Sequence, residues 1–366
     1  MKNILKLLLT QFFILIFFTV CYSQSNNYRI LYNFSGGVND GSIPNGTFVK
    51  SGQTLYGVTQ NGGTNDDGTI FRIGTDGTNY KLLYSFDGIN GRYPCGSLVQ
   101  SGSGLYGMTW RGKISDNGTV FGIDTNGSNY RVLHGFAGGS TDGFGPSDSP
   151  ILFGSNLFGN THLGGIDTCG VIYKIKTDGT GYQILHHFRI GSNDGQRPIG
   201  SLIQYGSVIY GTTVGGGSHS LGTIFKINTD GTGFQLLHSF NSSIYDGVQP
   251  DCSLTLFGST LYGTTSGSGN HNLGIIFRIN VNGSGFHILH NFAGGVNDGS
   301  QPSMVSLIKF GSNLYGTTYE GGSYNQGVIF QVDTAGSGFQ ILHSFAGAPD
   351  DGASQTGTMF LSDLTL

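Results

Sequence analysis

The sequence predicts an all-β fold, a β-propeller of four-stranded antiparallel blades, and three observations predict it. First, one block returns six times: an L-Y-G-x-T segment, a G-T-I-F segment, a turn with Asp-Gly or Asn-Gly, then L-H-S-F. Its leading apolar residue falls at Leu55, Leu105, Leu157, Ile209, Leu261 and Leu314, and subtraction gives spacings of 50, 52, 52, 52 and 53. Repeats of about 40–50 residues with four strands each are the signature of propeller blades. Second, the chain holds 65 glycines in 366 residues, yet 12% of it is aromatic and only 10% charged. Disordered chains are poor in aromatics, so the glycine reads as turn chemistry. Third, no helical periodicity of useful length occurs after the N-terminal segment.

The second copy shows the strands in order. Ser97-Leu98-Val99 is a first short strand, and Gly102 with Gly104 marks a turn. Leu105 to Thr109 is the second strand. A glycine-punctuated loop runs to Gly118, and Thr119 to Ile123 is the third strand. Thr125-Asn126-Gly127-Ser128 is a hairpin, because Asn-Gly readily takes the positive φ of tight turns. Tyr130 to Phe136 is the fourth strand, and strict alternation would put Tyr130, Val132, His134 and Phe136 on one face. A parallel β-helix is the rival fold, but its coils are shorter and need no hairpin in nearly every copy.

Residues 1–23 read as a secretory signal and 24–366 as one propeller domain. Lys2 and Lys6 precede an apolar run from Leu7 to Val20, too short to span a bilayer, which takes about 20 residues. Cleavage is expected near Ser23-Gln24, which makes the protein secreted or cell-surface. A lipoprotein at Cys21 is disfavoured by the bulky Val20. The repeats run about 47–86, 97–136, 149–188, 201–240, 253–292 and 305–345. Segments 28–34 and 358–366 match a fourth and a first strand without the rest of a blade. They are expected to share an incomplete seventh blade, with six blades plus extra strands as the alternative.

The repeated positions read as scaffold. After each fourth strand but the last comes Asp-Gly and then Pro, at Asp40/Pro44, Asp142/Pro146, Asp194/Pro198, Asp246/Pro250 and Asp298/Pro302, with Asn90/Pro94 as an amide variant, and Asp351 has Gln355 in place of the proline. Asp bonds the following backbone, Gly accepts φ > 0 and Pro fixes φ. One carboxylate per loop, without a D-x-D-x-D pattern, makes calcium the weaker reading, and no other cofactor is expected. The unbroken glycine (Gly57, Gly107, Gly159, Gly211, Gly263, Gly316) suggests close approach of a neighbouring backbone. The unbroken threonine two residues later suits a strand. His134, His186, His238, His290 and His343 share one position with Tyr32 and Tyr84, which suits a packed polar ring. Separate blades would hold them too far apart for a metal with bonds of about 2 Å. Cys95, Cys169 and Cys252 occupy unlike positions and read as free thiols.

Function is sought where repetition fails. Directly after the unbroken threonine stand Gln60, Trp110, His162, Val214, Ser266 and Tyr319, followed by positions that include Arg111 and Glu320. These loops and the Asp-Gly-x-x-Pro loops should share one face. Trp110 is the sole tryptophan, and Trp and Arg are favoured in binding hot spots. Gln60, Trp110, Arg111, His162, Tyr319 and Glu320 are therefore the candidate binding residues, for an extracellular glycan or surface protein. A structural or adhesive surface protein is the alternative. No G-x-S-x-G, H-E-x-x-H or phosphate loop is present, so an enzyme is not expected. Glu320 with Asp167 or Asp116 would be the acid pair of a polysaccharide hydrolase or lyase. A net charge of −4 gives no footprint for nucleic acid, no second membrane span follows, and a monomer is expected.

The block L-Y-G-T-T-x-x-G-G-x-x-x-x-G-x-I-F-x-x-x-x-x-G-S-G-F-x-x-L-H-x-F, best matched from Leu314 to Phe345, resembles the GloVer (Gloeo/Verruco-type) tandem repeat. The resemblance covers nearly all of the chain after the signal. It implies an exported bacterial repeat protein, commonly tethered by a C-terminal anchor, and brings no catalytic residues. The sequence given stops at Leu366 without an anchor, so truncation or release is expected.

Overall fold

The computed structural model describes residues 30–347 and 351, apart from 113–114, 244 and 303–305. The expected signal peptide and the expected strand at 358–366 lie outside the described residues. Six four-stranded antiparallel blades form a β-propeller, at 41–85, 92–135, 143–187, 195–239, 247–291 and 299–344. In the second blade the strands are Arg92–Ser101, Gly104–Arg111, Thr119–Asp124 and Arg131–Gly135. All pairing is antiparallel, within blades, and runs first to fourth strand in order.

First strands are longer than the sequence suggests. The Asp-Gly-x-x-Pro segment itself pairs with the end of the second strand, as in Gly41 with Gly62 and Pro44 with Thr59. A register break follows, between Asn45 and Val49, and in blades three, five and six it splits the strand in two. The bulged residues reach the propeller axis. There the Thr47 N–H donates to Ser97 Oγ (2.6 Å), Ser97 N–H to Ser149 Oγ (2.6 Å) and Ser201 N–H to Ser253 Oγ (2.7 Å). Asp148 lies across this chain, accepting from Ser149 Oγ and, two blades on, from Ser253 Oγ at 3.0 Å. The first strands are thus innermost.

The core lies between blades. Tyr56, Val58, Ile70 and Phe86 of blade one pack on Leu98, Leu105, Phe121 and Ile123 of blade two, and four further clusters join the remaining neighbours in turn. Leu31, Tyr32 and Phe34 pack on Leu55, Phe71 and Ile73 of blade one. Tyr32 stacks on Tyr80 at 4.1 Å, as Tyr84 does on Tyr130 at 3.9 Å, so this segment takes the place of a preceding fourth strand. The expected strand at 28–34 is described from residue 30 and, among the described residues, pairs with no strand.

Three local expectations are corrected. The fourth strand does not alternate strictly. Val120 faces His134 but Phe121 faces Val132, so Leu133 bulges out. Tyr130 consequently stacks back on Tyr84, whereas His134 and Phe136 pack forward on Tyr182 and Tyr173. The glycine of Asp-Gly is not there for positive φ, which only Gly91 of the Asn-Gly variant takes, at 140°. A Cβ on Gly41 would lie 2.3 Å from the Thr59 side chain, and five later glycines meet the equivalent threonine. That threonine is buried, with Thr59 Oγ1 bonded to Thr69 Oγ1 at 2.7 Å. Nor does the glycine of L-Y-G admit a neighbouring backbone. A Cβ on Gly107 would sit 2.6 Å from Phe121 Cζ and 2.9 Å from Leu98 Cδ2, so this glycine seats an aromatic ring of its own blade.

Candidate functional site

The loops between second and third strands and the Asp-Gly-x-x-Pro loops share one face, as their pairing requires. The residue before each proline is in the left-handed region: Ile43, Tyr93, Gly145, Arg197, Gln249 and Gln301 have φ of 53–62°. Such a conformation costs a non-glycine residue about 1–3 kcal/mol, and a following proline disfavours it further. A bond between blades holds it. The N–H of Tyr93, Gly145, Arg197, Gln249 and Gln301 donates to the carbonyl of Asp67, Asn117, Cys169, Leu221 and Leu273 of the preceding blade, at 2.8–2.9 Å. The proline then packs on the next glycine of that blade, as Pro94 does on Gly68.

This clamp aims the residue before proline at the residue after the unbroken threonine one blade back. A Cβ on Gly145 would stand 3.4 Å from Trp110 Cη2. The Arg197 charge bears on His162, and the His162 ring lies 6.2 Å from Trp110 at a 46° tilt. Burial and then Arg197 push the His162 imidazole below its ordinary range, and its Nδ1 is buried without a hydrogen-bond partner. Arg111 lies 5.1 Å over the Phe144 ring, and its Nη1 donates to the Asp116 carbonyl. Arg92 grips Asp116 with two bonds, Nη2 to Oδ2 at 2.7 Å and Nε to Oδ1 at 3.2 Å. Burial raises the Asp116 carboxyl, but the Arg92 bond and the Gly112 N–H outweigh it and hold it below the usual range. This ion pair is well exposed, so it orients side chains more than it stabilises the fold.

Of the six predicted binding residues, Trp110 and His162 come together across blades two and three, and Arg111 reaches Phe144 of blade three instead. Gln60 is on blade one, and Tyr319 and Glu320 are on blade six, where Tyr319 N–H donates to the Gln301 carbonyl. No described contact joins Glu320 to Asp116 or Asp167, which lie on blades two and three. Sequence reasoning missed Arg92, Phe144 and Arg197. For Arg197 the signal was present, since the residue before proline varies as freely as the one after threonine.

The five histidines are structural. His134, His186, His238, His290 and His343 each place Nε2 3.0–3.1 Å from a carboxylate eight residues on. The first four stack on an aromatic of the next blade at 3.7–4.1 Å. Among the described residues, no group of three or more His, Cys, Asp and Glu side chains could hold a metal ion. Cys95, Cys169 and Cys252 are free. Among the same residues no helix is long and apolar enough to cross a membrane.

Comparison with known proteins follows the same lines. The family model described as Gloeobacter/Verrucomicrobia repeat matches residues 17–169 and 153–366. No curated protein matches the chain. Among solved structures, an oligogalacturonate lyase in complex with manganese is similar at 13% identity and a TM-score of 0.52, over 87% of this chain and 81% of that one. A chain of a nidogen/laminin complex is similar at 16% identity and a TM-score of 0.49, over 82% and 94%. TolB from Acinetobacter baumannii is similar at 13% identity and a TM-score of 0.44, over 78% and 61%. At these identities the likeness is one of fold alone.

Proposed function

The chain belongs to the Gloeobacter/Verrucomicrobia repeat family, and from that premise we propose that it is an exported, non-enzymatic binding propeller. Its ligand is an extracellular glycan or the surface of another protein, held on the face of the variable loops. Trp110 of blade two lies by His162 of blade three, and Arg197 of blade four bears on His162 across the next junction, and that line of three variable residues carries the reading. The indole offers a flat apolar face. Arg197 is exposed and offers a guanidinium that donates to no described side chain. A sugar ring or a peptide side chain laid on the indole would meet hydrogen-bonding groups on one flank. Export rests on the Lys2 to Val20 pattern.

The test is an array of extracellular glycans and surface proteins probed with the chain from Gln24 onward. Binding that is lost in both Trp110→Ala and Arg197→Ala supports the reading. Binding unchanged in both variants, or polysaccharide turnover that disappears with Glu320→Gln, would overturn it.

A further inference from the structure

The opposite face carries a feature the sequence reading passed over. There the first strand of each blade turns into the second through a two-residue hairpin, Gly52-Gln53, Gly102-Ser103, Gly154-Ser155, Gly206-Ser207, Gly258-Ser259 and Gly311-Ser312. Each of these glycines has φ of 58–62°, and a Cβ on any of them would meet open space. The residue just before the turn is Ser51, Ser101, Phe153, Tyr205, Phe257 and Phe310 in blades one to six. On four consecutive blades it is a large aromatic, 48%, 46%, 52% and 44% exposed. Isolated exposed aromatics need no explanation, but the same register position filled on adjacent blades does.

First strands are innermost, so these four rings form a crescent around the axis. Among the described residues no ring contact joins any two of these four exposed rings, so they stand as separate platforms rather than one stacked patch. Lys309 caps Phe257, with Nζ 3.3 Å from the ring centre. Phe153, Tyr205 and Phe310 stack on no other described ring. The surrounding rim is built of small polar groups. It has the serines of the hairpins, and outside them the Thr-Asp-Gly-Thr and Val-Asn-Gly-Ser turns, where Asp178 accepts from Thr180 Oγ1 and Asn282 from Ser284 Oγ.

We propose that this crescent is a second binding site, distinct from the variable face, for a neutral oligosaccharide. Flat rings set apart on a rim of hydroxyls and amides suit successive sugar rings, each stacked by its C–H face and bonded by its hydroxyls. Among the described residues Lys309 is the charged side chain that touches a crescent ring, so a uronate or sulfated chain finds no cluster of cations here. A protein partner would call for a contiguous apolar centre, which separated rings do not provide.

Affinity electrophoresis and calorimetry with cellohexaose, maltohexaose and laminarihexaose test the site. At least one of these chains should bind, independently of salt. Tyr205→Ala and Phe310→Ala should each weaken that binding about tenfold, the scale of one aromatic contact. Both residues are exposed, so the fold should be unchanged by circular dichroism. Trp110 is the sole tryptophan and sits on the other face, so its fluorescence should not respond, and Trp110→Ala should bind as well as the parent. Failure of all three chains to bind overturns the proposal. So does binding lost with Trp110→Ala but kept in Tyr205→Ala, or self-association in sedimentation that the Tyr205→Ala and Phe310→Ala changes abolish. Binding that depends on Trp110 and not on Tyr205 would move the ligand to the variable face, whereas failure of all three chains leaves the variable-face test with Trp110→Ala and Arg197→Ala untouched.

Discussion

His238 Nε2 lies 3.0 Å from Asp246 Oδ1, and the same carboxylate accepts the N–H of Gly247 and of Asn241. The imidazole in turn stacks on Phe286 of the next blade at 4.1 Å. One carboxylate thus fixes the turn between two blades and the ring that seals them. Asp246→Ala should strand these buried donors and lower stability by about 2–3 kcal/mol, read from urea unfolding. His238→Tyr should lose less, because Tyr84 fills the same position in blade one and stacks equally well. Equal stability of Asp246→Ala and the parent would remove the couple from the scaffold.

Acid should weaken the blade junctions. Burial raises the Asp142 carboxyl, but bonds from His134, Tyr182 and the Ala137 N–H outweigh it and hold it below its ordinary value. Asp40 is lowered in the same way by Ser35 and Tyr80. A depressed folded-state pKa contributes stability above the unfolded value, about 3.9, that is lost as pH falls through the folded one. Urea midpoints measured below about pH 4 should therefore fall more steeply in the parent than in Asp142→Asn.

Asp251 works in the opposite sense. Burial pushes its carboxyl up to about 6, and its Oδ1 has no hydrogen-bond partner. A raised carboxyl favours the neutral form, so it penalises folding as pH rises from about 4 through 6, by roughly 2–3 kcal/mol at neutral pH. Asp251→Asn should raise the urea midpoint at pH 8 and change it little at pH 4. A variant equally shifted at both pH values would contradict this.

Gly211 leaves room for Phe225, whose Cζ would lie 2.5 Å from an added Cβ. Gly211→Ala should destabilise by about 1–3 kcal/mol through overpacking. Combining it with Phe225→Leu should return part of that loss, since the two side chains compete for one space. Strict additivity in the double mutant would show that the clash is relieved elsewhere.

Arg197 holds φ of 57° before Pro198, where blade three has Gly145. Arg197→Gly should relieve about 1 kcal/mol of left-handed strain and raise the melting temperature, while removing the guanidinium beside His162. A lower melting temperature would show that the arginine side chain, rather than the inter-blade bond, holds the loop.

The sequence by itself determined the repeat, the four strands of each copy and the antiparallel blade. Those are local properties, written by turn glycines and by alternation within a few residues. Trp110, Arg111 and His162 were legible as departures from the repeat, and so was the structural nature of the histidines. Tertiary structure decided the rest. The Arg197 charge bears on His162, and Gly145 meets Trp110, because partners about 35 residues apart are joined only when one blade's loop is clamped onto the previous blade. The bulge at Leu133 turned Tyr130 away from His134, which no count of alternating residues reveals. Phe153, Tyr205, Phe257 and Phe310 read as ordinary strand residues until the ring placed the ends of the inner strands side by side and open to solvent. Periodicity fixes which way a residue points within its own strand, but closure of the ring fixes what it faces.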